Sequence, residues 1–111
     1  LIGRALRLLQ HNPAHNWTVA ELASAVGSSR AALARRFTEL VGEPPMAFLT
    51  RWRLELAADL LQSSDATVEA IAHRVGYGSA FALSTAFKRH FGVSPRDHRR
   101  RSPAPPVRSI G

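Results

Sequence analysis

Two stretches of the chain spell nearly the same phrase: "TVAELASAVGSSRAALARRF" from Thr18 to Phe37 and "TVEAIAHRVGYGSAFALSTAF" from Thr67 to Phe87. Thr18-Val19 aligns with Thr67-Val68, Leu22-Ala23 with Ile71-Ala72, and Val26-Gly27 with Val75-Gly76. The second copy then carries one extra residue, Tyr77. After it Ser29 meets Ser79, Ala32 meets Ala82, Leu33 meets Leu83 and Phe37 meets Phe87. Gly42 with Gly92 and Pro45 with Pro95 close the alignment. A repeat of this length can mark a solenoid, but two copies point to a paired unit.

Each copy reads as helix, tight turn, helix. Thr18 with Glu21 has the form of a capping box, in which hydroxyl and carboxylate each take an orphan backbone N–H. Val19, Leu22, Ala23 and Val26 follow at helical spacing. Gly27 suits the left-handed residue that ends a helix, and Ser29 caps the next. Leu33 and Phe37 lie one turn apart on the buried face of that second helix. The second copy uses Thr67, Val68, Ile71, Ala72, Val75, Gly76 and Ser79 in the same way, with Leu83, Phe87 and Phe91 packing. No stretch alternates with period two between hairpin turns, so no sheet is expected.

Between the copies, "PMAFLTRWRLELAADLLQSS" predicts a connector helix opened by Pro45. Its apolar stripe runs through Phe48, Leu49, Trp52, Ala57, Leu60 and Leu61. About 17 helical residues would make a rod of about 26 Å. Arg53 is expected to form a structural ion pair there, with Asp59 or Glu55. Trp52 is assigned to the core and Trp17 to a seam. Ile2, Ala5, Leu6 and Leu9 predict a short leading helix, and Ser94-Pro95 a short basic closing one. The expected fold is all-α: two helix-turn-helix subdomains, 1–44 and 65–101, joined by a connector over 45–64, with a disordered Pro-rich tail over 102–111.

Charge narrows the partner. Fifteen Lys+Arg face eight Asp+Glu, a formal net charge of +7 in 111 residues, and all the cations but Lys88 are arginine. Such a balance favours a polyanion, and the two-pronged guanidinium fits guanine and phosphate. A helix-turn-helix lays its second helix in a major groove, and successive grooves on one face are about 34 Å apart. The chain is therefore expected to bind double-stranded DNA.

On the first recognition helix, Arg30, Ala31, Ala34 and Arg35 are the candidate base readers. On the second they are Ala80, Phe81, Ser84 and Thr85, a face with no charged side chain. Phe81 is placed either against thymine methyl groups or in the core. Phosphate contacts are expected from Arg36, Lys88, Arg89, Arg96, Arg99 and Arg100, with the capped ends at Thr18, Ser29 and Ser79. The first unit should supply most of the discrimination and the second mainly positioning.

Other classes fit poorly. There is no cysteine, so thiolate metal sites and cysteine nucleophiles are excluded. His11 and His15 have metal-like spacing, but Pro13 breaks a shared helix and no third ligand completes a site. "GYGS" lacks the preceding strand and Lys-Ser/Thr ending of a phosphate loop. His73 and His90 read as surface or seam residues. No catalytic residue, metal or cofactor is called for. RNA-type motifs and a continuous basic amphipathic helix for a membrane are both missing. A helical adaptor for another protein is the alternative reading.

"RLELAADLL", "VEAIAHRVGY" and "AFKRHFGVSPRDHRR" also carry a family pattern: Arg53-Leu54, Ala57, Leu60-Leu61, Ile71-Ala72, Gly76-Tyr77, Phe87-Lys88, Phe91-Gly92 and Pro95. On these residues the chain resembles the DNA-binding domain of AraC/XylS bacterial transcription regulators, over about residues 4 to 101. The resemblance implies two helix-turn-helix subdomains on a long helix, and base contacts from the outward faces named above. Family members often carry arginine where Thr85 stands and an aromatic where Leu83 stands, and this chain departs at both. "HNPAHNWTVAELA" and "SRAALARRFTELVGEPPMAFLTRWRL" look most like members with an N-terminal cupin-like sensor. Together with a first residue that is Leu1, this implies the C-terminal part of a longer protein whose sensor and dimerisation surface lie outside. The resemblance further implies a cytoplasmic activator that touches RNA polymerase through acidic or exposed residues of the second unit, with the isolated domain a monomer.

Overall fold

The computed structural model describes Leu1–Arg101, and the tail expected to be disordered lies outside the described residues. The described residues form seven helices and no strand. In order these are α1 (Ile2–His11), α2 (Val19–Val26), α3 (Arg30–Val41), α4 (Pro45–Ser63), α5 (Val68–Val75), α6 (Ala80–Phe91) and α7 (Pro95–Arg100). The all-α expectation holds. The chain divides into two compact units, and the division falls between Arg53 and Leu54, inside α4.

The duplicated phrase becomes duplicated geometry. Thr18 Oγ1 accepts from Glu21 N at 3.0 Å, and Thr67 Oγ1 accepts from Ala70 N at 3.0 Å. Ser29 Oγ takes Ala32 N, and Ser79 Oγ takes Ala82 N. Both α2 and α5 end in a Schellman motif. In the first, Ser28 N donates to Ala23 O and Gly27 N to Ser24 O; in the second, Tyr77 N donates to Ala72 O and Gly76 N to His73 O. Gly27 sits at φ 73° and Gly76 at φ 106°, a region that a Cβ disfavours. The turns differ in length: three residues separate α2 from α3, and four separate α5 from α6. Tyr77 is the extra one, half-buried against the second core.

Each unit has its own apolar core. In the first, Ile2, Ala5 and Leu9 of α1 meet Leu22, Ala23 and Val26 of α2, Leu33 and Phe37 of α3, and Phe48 and Leu49 of α4. Phe48 lies edge-on to Phe37 at 5.9 Å and parallel to Trp52 at 6.5 Å. Trp17 and Trp52 pack against this core, and their indole N–H groups donate to Asn12 O and Gln10 O. In the second, Leu54, Ala57 and Leu61 of α4 meet Ile71, Ala72, Val75, Leu83 and Phe87. Leu33, Phe37, Leu83 and Phe87 have no exposed area. These matched residues therefore fix how α3 and α6 sit in their own units. Phe91, expected to pack, does touch Phe87 at 4.6 Å between ring centroids but stays 36% exposed. It lies in the last turn of α6, where the core gives way to the rings of His90 and His98.

Two arginines knit loops to helices that follow later in the chain. Arg53 of α4 donates to Pro13 O at 2.7 Å and to His15 O at 2.9 Å, two backbone partners that the sequence had not suggested. The loop ahead of α2 has no secondary structure to absorb its carbonyls, so a guanidinium fork satisfies two of them. Arg99 of α7 does the same for the loop ahead of α5, donating to Leu61 O, Ser64 O and Ala66 O at 2.8, 3.1 and 2.7 Å. In each unit, the helix after the helix-turn-helix thus ties down the segment leading into it.

The capping box at α2 is only half formed. The Glu21 carboxylate turns from the Thr18 backbone to His15, whose Nε2 lies 2.7 Å from Oε2. Trp17 packs edge-on against that imidazole at 4.4 Å and holds it in reach.

Candidate nucleic-acid interface

The second helix of each helix-turn-helix presents its outward side to solvent, and the two faces differ in chemistry. On α3, Arg30, Ala31, Arg35 and Arg36 are exposed and Ala34 is half-buried. None of the three guanidiniums makes a hydrogen bond or ion pair with another described residue. Arg36, expected to contact phosphate, is open to solvent as well. The small side chains at 31 and 34 leave the α3 backbone accessible between the arginines. Such a surface offers forked donors of the kind that can pair with guanine or phosphate, without competing partners among the described residues.

On α6 the corresponding face is neutral. Phe81 is 80% exposed and Thr85 is exposed, while Ala80 and Ser84 are half-buried. The sequence left Phe81 between groove and core; the fold puts it outside the core. Lys88, Arg89 and His90 follow in the last turn of α6. Cations there also complement the negative end of the helix dipole.

The basic residues sort into two kinds. Arg4, Arg51, Arg53 and Arg99 donate within the protein: Arg4 to Ala25 O, Arg51 to Glu43 Oε2, and the other two to the loops described above. Arg30, Arg35, Arg36, Lys88, Arg89, Arg96 and Arg100 are exposed and make no such bond among the described residues. Arg99 therefore leaves the phosphate-contact set. Its Nε and Nη2 are committed to three carbonyls and it is half-buried, whereas its neighbour Arg100 is free. Thr18, Ser29 and Ser79 cap as expected, each exposed at the start of its helix.

One feature escaped the sequence reading. Arg4, Arg7 and His11, at spacings of three and four, line an open depression on α1 with Leu8 and Asn12. The spacing was the available signal. Among the described residues no group of three or more His, Asp or Glu could hold a metal ion, and no helix is long and apolar enough to cross a membrane.

Comparison with known proteins brings the geometry into context. A family model described as a helix-turn-helix domain matches residues 22–101. An AraC-like transcription regulator of Streptomyces antibioticus is 54% identical over 100 residues, 90% of this chain and 33% of that protein. The chain thus spans about a third of the length of the curated relatives it matches. Among solved structures, the C-terminal domain of AraT, a response regulator from Geobacillus stearothermophilus, superposes with a TM-score of 0.86 at 32% identity, covering 98% of this chain and 92% of that one. The DNA-binding domain of AdpA, a global transcriptional factor solved in complex with a target DNA, gives 0.84 at 31% identity, covering 89% of each.

Proposed function

The chain belongs to the AraC family of helix-turn-helix transcription regulators, and on that premise we propose how its surface divides the work of binding double-stranded DNA at a specific sequence. The observation that carries this reading is the exposed face of α3, where three arginines are open to solvent without a partner among the described residues. α3 and α6 enter successive major grooves. Arg30 and Arg35 contact base edges, and Ala31 and Ala34 permit close approach. Arg36, Lys88, Arg89, Arg96 and Arg100 hold phosphates, assisted by the N-termini capped at Thr18, Ser29 and Ser79. α6 reads with Ala80, Phe81, Ser84 and Thr85, without forked donors.

The protein is an activator that works in the bacterial cytoplasm, where the chromosome lies, and it touches RNA polymerase through its second unit. A sensor and dimerisation domain precedes this chain in the full protein, and the domain alone is a monomer. It has no catalytic activity.

The test is selection from random duplexes, followed by anisotropy titration of the best site at several salt concentrations. Two preferred blocks about one helical turn apart are expected. Arg30→Ala and Arg35→Ala should each blur one block, removing about 1–3 kcal/mol of discrimination. Five phosphate-holding cations predict a slope of log affinity on log salt of about −4.5, at −0.9 per contact. Selection that enriches no sequence, with only weak electrostatic binding, would favour the adaptor reading instead.

A further inference from the structure

Phe81 is the least expected residue on the face of α6. It stands two residues after the Ser79 cap and is 80% exposed, more than any other large apolar side chain described. Packing does not need it there, because Leu83 and Phe87 anchor α6 with no exposed area of their own. In the repeat it takes the place of Ala31 on α3. Its neighbours Ala80, Ser84 and Thr85 carry neither charge nor a forked donor. A phenyl ring makes no hydrogen bond to a base edge, and the one apolar group that base pairs present in the major groove is the C5-methyl of thymine.

We propose that Phe81 makes α6 a reader of the pyrimidine 5-methyl group, so that the second unit discriminates sequence rather than only positioning the protein. The inference rests on the DNA-binding reading above and refines its weakest part. The same methyl on 5-methylcytosine would satisfy the ring, so the second block favours a methylated cytosine over a bare one.

The experiment uses the 111-residue chain and its selected duplex. Loss of the block blurred by Arg30→Ala or Arg35→Ala assigns that block to α3 and leaves the other to α6. Each thymine of the α6 block is then replaced singly by deoxyuridine, which lacks only the methyl. Burying one methyl predicts an affinity about fourfold lower at one or two of these positions. Phe81→Ala should bind thymine and deoxyuridine equally there, while Phe81→Leu keeps part of the difference and the α3 block is unchanged. Because the wild-type comparison needs no variant, methyl-indifference there overturns the proposal even if Phe81→Ala were unstable, and Phe81→Leu then carries the attribution to residue 81. Indifference of the wild type to deoxyuridine throughout the block, or an undiminished preference in Phe81→Ala, would overturn the assignment. Such a methyl-blind site would leave specific DNA binding standing, whereas failure to select any site would remove both.

Discussion

Arg99 and Arg100 are adjacent, equally charged and opposite in use. Arg99 holds one carbonyl at the end of α4 and two in the loop ahead of α5, while Arg100 is exposed without a partner among the described residues. Arg99→Ala should lower the unfolding free energy by about 1.5–3 kcal/mol, the range for hydrogen bonds to a charged group, and show a lower melting temperature without DNA. Arg100→Ala should melt like the wild type, bind DNA more weakly and flatten the salt slope by about one. Nothing in the local run "RDHRR" separates the two. Arg99's partners lie 33 to 38 residues away, at the end of α4 and just beyond it, and a basic run shows only its sign. The carbonyl partners of Arg53 went unforeseen for the same reason: they are distant in sequence, and no side-chain pattern announces them. Phe81 was left open because an apolar residue at a first turn can face either way until the core is placed.

At the scale of elements, the turns were the most legible part, because caps and left-handed glycines act through residues a few positions apart. The Thr and Ser caps and the Gly27 and Gly76 stops all formed where the repeat put them. The reciprocal half of the box at Glu21 did not, since His15 competes for the carboxylate. Glycines in the two turns should separate cleanly. Gly27 has φ 73° and open space around a would-be Cβ, so Gly27→Ala meets no clash but pays about 1–2 kcal/mol for a left-handed backbone. Gly78 has neither a positive φ nor a close neighbour, so Gly78→Ala should be neutral or slightly stabilising. Thermal unfolding of the two variants checks the contrast.

For the molecule as a whole, duplication gives two cores instead of one. Phe37 belongs to the first and Phe87 to the second, both without exposed area. Replacing either by Ala should cost about 3–5 kcal/mol. Amide exchange should show the loss mainly in the unit that carries the substitution: residues 1–53 for Phe37→Ala, and residues from 54 onward for Phe87→Ala. Equal loss of protection in both units would mean that the two cores unfold as one.

The eight side chains assigned to base reading share one property: none belongs to either core. Address and envelope are thus written on different residues. When a regulatory site drifts by a base, Arg30, Arg35, Phe81 or Thr85 can follow it by single substitutions that leave Leu33, Phe37, Leu83 and Phe87 untouched. A lineage can then retarget such a regulator through a series of folded intermediates, each a working protein.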